Sequence, residues 1–286
     1  MAKILSRLMP AKWRNDDPTI PVVRLQGMIA AGGSAFRPAL NLANCASQFQ
    51  RAFSDKSAPA VAIVINSPGG SPVQSRLIYK RIRDLAVEKK KKVHVFVEDA
   101  AASGGYMIAC AGDDIIADPS SIVGSIGVVS AGFGFVEAID KLGIERRVHT
   151  AGLNKSVLDP FLPEKEHDIE RLKALQLEIH GVFIDLVKES RGDRLADDDD
   201  LFTGLFWVGE NARKLGLVDE IGDIRATLKA KYGPKTRIKL VEAKRSLFGN
   251  KAATGIAMDP SQIGAGAAEH LFATAEEKNF WARLGL

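Results

Sequence analysis

The feature that most constrains the fold is a regular alternation of short apolar runs with segments of helical periodicity. The run VAIVINSPGG (residues 61–70) has the composition of a buried strand that ends in a turn rich in Pro and Gly. Residues 72–89 then repeat apolar side chains at helical spacing, and VHVFVE (residues 93–98) follows as the next strand. Strands that alternate with helices in this way predict an α/β domain with largely parallel strands.

The same alternation extends across most of the chain and sets the predicted domain organisation. The other predicted elements are strands at 21–30, 114–119, 121–129, 145–150 and 236–242, and helices at 103–111, 134–143 and 163–190. We therefore predict a single domain over residues 19–242, preceded by a basic extension (residues 1–18) and followed by a loosely packed tail (residues 243–286) rich in Ala and Gly.

Composition and charge argue against two broad classes of protein, disordered proteins and nucleic-acid-binding proteins. The chain has 286 residues and 46% apolar content, enough to bury a sizeable core, so it is not a disordered protein. Its formal charge of +4 comes from Lys3, Arg7, Lys12 and Arg14, because the rest of the chain holds as many acidic as basic residues. A basic extension on a neutral domain lacks the broad basic face that nucleic-acid binding requires, so we expect no nucleic-acid partner.

The cysteines and the apolar runs bear on the compartment. Cys45 and Cys110 lie beside small apolar residues in no metal-like spacing, which is typical of buried thiols in a reducing compartment. The sequence has no apolar run long enough for a secretory signal or a spanning helix, so we expect a cytoplasmic protein. Residues 1–14 mix apolar and basic side chains, and either fray or lie as a peripheral helix on the inner face of the membrane.

A serine on a crowded turn stands out in VEDAAASGGYMIACAG (residues 97–112), where Ser103 follows a predicted strand and begins a predicted helix. Such a position can present a hydroxyl to a substrate, or it can simply turn the chain. A nucleophilic serine needs a base. The five histidines, which stand at positions 94, 149, 167, 180 and 270, include no obvious partner, so a Ser-His-Asp site stays open without support.

A lysine can replace histidine as the base if burial lowers its pKa by about three units from 10.4. Lys155, in AGLNKSVLDPF (residues 151–161), has apolar neighbours, although it can also be an ordinary loop lysine. Backbone N–H groups for an oxyanion can come from Gly69 and Gly70 of NSPGG and from Gly104, unless SPGG is only a turn.

No cofactor or metal motif accompanies these residues. The sequence contains neither a phosphate-binding P-loop nor a dinucleotide fingerprint, so we expect no cofactor. The four consecutive aspartates at residues 197–200 lack the turn-forming glycine of a calcium loop, so we expect no metal site there.

Taken in order, INSPGG, DAAASGGYMIACAGDDIIADPSSIVGSIGVV, AGLNKSVLDPF and FTGLFWVGENARKLGLVDEIG resemble the signal peptide peptidase A family, the S49 serine peptidases. The resemblance implies a ClpP/crotonase-like fold of repeated strand-strand-helix units and a Ser/Lys dyad without histidine. It assigns Ser103 as nucleophile, Lys155 as general base and Ser125 as the residue that orients the lysine. The oxyanion donors carried over are Gly104 and Gly70, with Gly69 as the second choice.

The same resemblance implies an ATP-independent endopeptidase that cleaves hydrophobic peptides, such as remnant signal peptides, bound along strand edges. Family members form ring or dome oligomers, some with active sites completed by a neighbouring subunit, so we expect a homo-oligomer. Three alternatives stay open: a stomatin-partner type of peptidase that acts on a membrane protein, a non-catalytic peptide-binding scaffold, and an acyl-CoA enzyme. The last has no use for the dyad.

Overall fold

A computed structural model describes residues 17–32, 39–242 and 278–286, and the first two ranges hold one eight-stranded sheet with helices on its faces. The strands are β1 (Thr19–Gln26), β2 (Ala60–Ser67), β3 (Lys92–Ala102), β4 (Asp114–Ala117), β5 (Ile122–Gly124), β6 (Phe206–Val208), β7 (Glu220–Ile221) and β8 (Arg237–Leu240). The helices are α1 (Leu42–Ser54), α2 (Pro72–Lys89), α3 (Gly104–Ala109), α4 (Val136–Lys141), α5 (Glu166–Arg191), α6 (Gly209–Lys214) and α7 (Ile224–Tyr232).

The sheet is parallel except at one edge. Its main order is β6-β5-β3-β2-β1-β8, while β4 pairs with β3 and with β7, and only the β5–β6 pair is antiparallel among these strands. Every residue of β2 is buried, as expected for a central parallel strand that is covered on both faces. The predicted α/β class is therefore confirmed.

Apolar side chains fill both faces of the sheet. On one face the larger core packs strand residues against α1, α2 and α3, with Phe49, Ile82 and Tyr106 among the fully buried side chains. On the other face a smaller core sets Leu228 of α7 against β1, β2 and β3.

One predicted strand does not form, and one observed helix was not predicted. Residues 145–150, predicted as a strand, have no regular structure and are exposed, because no neighbouring strand lies there to pair with them. Helix α1 was not predicted, although its signals are present. The Asn41 side chain accepts the Asn44 N–H at the helix start, and Cys45 and Phe49 repeat at helical spacing on the buried side.

The long predicted helix forms as α5 but is buried over only part of its length. Phe183, Leu186 and Val187 near its carboxyl end are buried, whereas Leu175 and Ile179 are 49% and 40% exposed. The apolar periodicity is therefore real, but Leu175 and Ile179 stay exposed although Asp168 in the first turn is buried.

The predicted extension (residues 1–18) and tail (residues 243–286) lie almost wholly outside the described residues, so the domain boundaries stay a prediction. Residues 278–283 at the carboxyl end are helical. No helix within the described ranges combines the length and the apolar composition needed to cross a membrane.

Candidate active site

Ser103 lies at the carboxyl end of β3, immediately before α3, in a strained backbone conformation. Its φ and ψ are 51° and −121°, a region that side chains other than glycine rarely occupy. Its N–H donates to the Gly124 carbonyl at 2.8 Å, and its own carbonyl accepts from Met107 N–H at 3.0 Å. Strain of this kind costs about 1–3 kcal/mol and is concentrated at functional sites.

Ser125 lies beside Ser103 because of the pairing between β3 and β5. Ala102 is the register partner of Gly124, so the next residue on each strand, Ser103 and Ser125, are neighbours where the two strands end. Ser125 also has a positive φ of 53°, and its N–H donates to the Leu205 carbonyl at 2.7 Å. Both serines are half-buried.

The glycine loop after β2 reaches Ser103 from the other side. A Cβ atom placed on Gly69 would lie 2.8 Å from Ser103 Cβ and 2.9 Å from the Gly104 nitrogen, so only glycine allows this approach. The carboxyl ends of β2, β3 and β5 therefore bring together Gly69, Gly70, Ser103, Gly104 and Ser125.

The two loop glycines differ in whether their N–H groups are free. Gly69 N–H donates to Ser67 Oγ at 3.2 Å. Ile29 holds the loop by accepting from Ser71 N–H at 2.7 Å and donating to the Gly69 carbonyl at 2.9 Å, an arrangement that leaves Gly70 N–H without a hydrogen bond among the described residues. Of the two loop glycines only Gly70 therefore has a free N–H among the described residues, and Gly104 N–H, at the start of α3, has no acceptor within its helix.

Lys155 is not brought to this cluster within one chain. It lies in residues 129–162, here called the arm, where its side chain is exposed and makes no hydrogen bond or ion pair among the described residues. Its backbone N–H donates to the Gly152 carbonyl at 3.4 Å. Every hydrogen bond, ion pair and ring contact that the described part of the chain gives the arm joins two arm residues. The contact of Arg146 with Asp159 at 2.7 Å is one example.

The histidines within the described residues do not serve Ser103. His94 lies at the amino end of β3, away from Ser103, where Asp114 Oδ1 and Tyr232 Oη each lie 2.6 Å from its ring nitrogens. His180 Nε2 contacts the Ile126 carbonyl at 3.0 Å. His149 and His167 are exposed, and position 270 lies outside the described residues.

The structure also describes the surroundings of the two thiols and of the acidic run. Cys45 and Cys110 are free and buried, and desolvation raises the pKa of each thiol to about 12. In the acidic run, Asp198 accepts the Asp200 N–H at 2.9 Å and begins a short 3-10 helix. Across the described ranges, no group of three or more His, Cys, Asp or Glu side chains is arranged to hold a metal ion.

Sequence reasoning missed the residues that hold the glycine loop. Ser67 Oγ donates to the Gly27 carbonyl at 2.7 Å while accepting from Gly69, and the Asn66 side chain reaches β3. Their signal in the sequence is a pair of polar residues that ends an otherwise apolar run, VAIVI.

Comparison with known proteins assigns the family. A family model described as Peptidase family S49 matches residues 86–237, more than half of the chain. Protease 4 of Haemophilus influenzae is 34% identical over 71% of this chain and 32% of its own length. A solved structure of the 1510-N membrane-bound stomatin-specific protease is 17% identical, with a TM-score of 0.49 over 79% of this chain and 98% of that chain.

A protein named Na(+)/H(+) antiporter NhaA from Brucella abortus is 62% identical over 99% of this chain. This chain spans only 39% of that protein's length, so the antiporter name is not carried over. The family match and the ordered motifs agree with each other and with the α/β sheet. The chain therefore belongs to peptidase family S49, a family of serine peptidases.

Proposed function

We propose that this protein is an ATP-independent serine endopeptidase that cleaves hydrophobic peptides, such as remnant signal peptides, with a Ser103/Lys155 dyad. The observation that carries the proposal is the strained Ser103 beside the unpaired N–H groups of Gly70 and Gly104. A hydroxyl near two free backbone donors is what acyl transfer needs, since such donors stabilise the oxyanion that forms on the attacked carbonyl.

In this mechanism Ser103 Oγ attacks the peptide carbonyl and transfers its proton to the neutral Lys155 amine. The ammonium then protonates the leaving amine, and water hydrolyses the acyl-enzyme by the reverse proton path. Ser125, adjacent to Ser103 in the β3–β5 register, accepts or donates a hydrogen bond that orients the lysine. No metal or cofactor enters any step.

We further propose that a second copy of the chain supplies Lys155. Water stabilises the charged form of an exposed lysine, and only the neutral amine can accept a proton. The amine of a lysine base therefore has to be desolvated. The arm that carries Lys155 exposes large apolar side chains, which is typical of an interface. The most exposed are Val129 (52%), Phe133 (74%), Leu142 (72%), Ile144 (55%) and Leu153 (102%).

The direct test compares Ser103→Ala and Lys155→Ala with the wild type on a fluorogenic apolar peptide. Each substitution should lower kcat/KM by about 10⁴-fold or more, because the members of such a dyad act as a unit. Lys141→Ala is the matched control, since Lys141 lies in the same arm and is 78% exposed. Full activity of either dyad variant would eliminate this mechanism.

The pH dependence of the rate gives a second test of the base. A protonated amine cannot accept the Ser103 proton, so kcat/KM should rise with pH until the amine is deprotonated. A profile that is flat from acid to neutral pH would argue against a lysine base.

Two experiments separate the alternatives. Labelling by a fluorophosphonate requires an activated hydroxyl, so a non-catalytic scaffold would stay unlabelled. Cleavage of signal peptides is then compared with cleavage of the C-terminal segment of a membrane protein, the substrate expected for a stomatin-partner type of peptidase. The proposed function predicts labelling at Ser103 and a preference for signal peptides.

The cytoplasmic location is also a proposal, supported by the two free, buried thiols. Fractionation of cells should place the protein in the cytoplasm or, if residues 1–14 bind the bilayer, on membranes from which high salt releases it.

A further inference from the structure

The pairing between β2 and β3 contains an irregularity directly before the nucleophile. Ile65 pairs with Val97, but the next register pair is Ser67 with Ala101, so one residue of β2 faces three residues of β3. A bulge of this kind removes ladder hydrogen bonds and re-aims the side chains that follow it.

The side chain of Asn66 fills the gap that the bulge leaves. Asn66 is only 6% exposed. Its Oδ1 accepts from Ala100 N–H at 3.3 Å, and its Nδ2 donates to Asp99 Oδ2 at 2.6 Å. The Asn66 carbonyl accepts from Gly27 N–H at 2.9 Å, so the residue also ties β2 to the end of β1.

The bulge decides which residue meets the glycine loop. Continuation of the Ile65–Val97 register would set Ala101 opposite Gly69. In the observed register Gly69 is instead directly against Ser103. The two additional residues in β3 therefore place the hydroxyl, rather than a methyl group, beside the loop that carries the free Gly70 N–H.

We propose that Asn66 and Asp99 are a pair of positioning residues that lock this register and thereby hold Ser103 against its oxyanion donors. The inference rests on the proposed function, since it assigns the pair a part in peptide cleavage. An amide is suited to this place because it supplies an acceptor for Ala100 N–H and a donor for Asp99 at once. No hydrogen bond of the pair reaches Ser103, so its loss should lower kcat and leave KM nearly unchanged.

The test exchanges the two groups. Asn66→Asp sets two carboxylates against each other and should lower kcat by about 10²-fold, the order expected for a small misplacement of reacting groups. Asp99→Asn should stay within a few-fold of the wild type, because its amide oxygen still accepts from Asn66. The double variant Asn66→Asp/Asp99→Asn restores a donor-acceptor pair and should recover most of the lost kcat.

Asp99→Ala tests the same pair without changing a buried residue, so the inference stays testable if Asn66→Asp does not fold. Asp99 is exposed, so its removal should not prevent folding, yet it leaves Asn66 Nδ2 without its acceptor and should lower kcat several-fold. Asn211→Asp, the same change at an exposed site on α6, is the control and should behave as the wild type. Thermal melts of every variant accompany the kinetics.

The outcomes separate this inference from the proposed function. Wild-type activity in Asn66→Asp or Asp99→Ala, or a double variant no better than Asn66→Asp, overturns the positioning role. A parallel rise in KM, or a loss that follows thermal stability alone, also overturns it. A wild-type protein that cleaves no peptide and resembles Ser103→Ala instead refutes the proposed function.

Discussion

At the scale of single residues, Gly70 is the position where the proposed function depends most on backbone conformation. Its φ is 136°, and a Cβ atom there would collide with the Ile29 carbonyl. Gly70→Ala should therefore displace the loop and with it the proposed oxyanion donor, with a loss of about 10²–10³ in kcat. Steady-state kinetics on an apolar peptide checks this loss.

The matched control for this prediction is Gly181→Ala. Gly181 lies inside α5, where a Cβ atom meets nothing within 4 Å, so the change should stabilise the helix by about 0.5–1 kcal/mol without affecting kcat. A Gly70→Ala enzyme as active as this control would show that Gly70 N–H is not the oxyanion donor.

The sequence indicated the candidate site residues one by one, but not the hydrogen bonds between them. Motifs pointed to Ser103, Ser125 and Gly70, and the structure places all three where neighbouring strands end. The preference for Gly70 over Gly69 gains a physical reason only from the Ser67 hydroxyl, which occupies Gly69 N–H. No pattern along the chain could reveal that hydrogen bond, because it depends on how the loop folds back.

At the scale of elements, a buried ion pair joins α5 to the segment before β7. Arg191 is 1% exposed and binds the Asp219 carboxylate with two hydrogen bonds of 2.8 and 2.9 Å. Burial alone would raise the pKa of Asp219, but the hydrogen bonds and charge of Arg191 outweigh it and hold that pKa below its ordinary value.

Asp219→Asn should lower the free energy of unfolding by about 3–5 kcal/mol at neutral pH, because it leaves Arg191 buried without its counter-ion. The lowered pKa means that this stabilisation is present above about pH 3.9, the ordinary value for Asp, and is lost as the pH falls through the folded-state value. Denaturant unfolding from pH 7 down into the acid range should show the difference between the two proteins narrowing once the pH is below about 3.9.

Asp84→Asn, in the exposed pair with Lys80, is the control and should change the free energy of unfolding by less than about 1 kcal/mol. A similarly small change for Asp219→Asn, or a difference that does not narrow as the pH falls below about 3.9, would contradict the account of the buried pair.

The elements that sequence reasoning predicted well are those whose signals are local. Helix α2 has Pro72 at its start and a lysine run at its end, and its bounds agree with the prediction. The strand predicted at residues 145–150 is wrong because pairing requires a neighbour that periodicity cannot reveal. The bulge in β3 could not be predicted for a related reason. The register between β2 and β3 depends on the side chain of Asn66, which lies in the neighbouring strand.

At the scale of the whole molecule, the arm explains why the candidate dyad is not visible in one chain. The sequence predicts apolar neighbours for Lys155, but Leu153 is exposed with it, while Val157, Leu158 and Phe161 are only half-buried. Composition cannot distinguish burial within a chain from burial between chains, because both require the same side chains.

The arm should therefore be an interface between copies. Leu153→Glu, at a side chain that is fully exposed in one chain, should yield a smaller species in sedimentation and lose peptide cleavage with it. Val87→Glu, 70% exposed on α2 and outside the arm, should keep the wild-type size and activity. An active protein of unchanged size in Leu153→Glu would count against the interface.

The most direct measurement of the central claim mixes Ser103→Ala subunits with Lys155→Ala subunits, refolded or co-expressed together and purified through two different tags. If one copy donates its lysine to the serine of the next around a head-to-tail ring, about a quarter of the sites in an equimolar assembly regain both groups. We predict cleavage near that fraction of the wild-type rate from two inactive parents. A mixed assembly that contains both variants and remains as inactive as either parent would contradict a dyad shared between subunits.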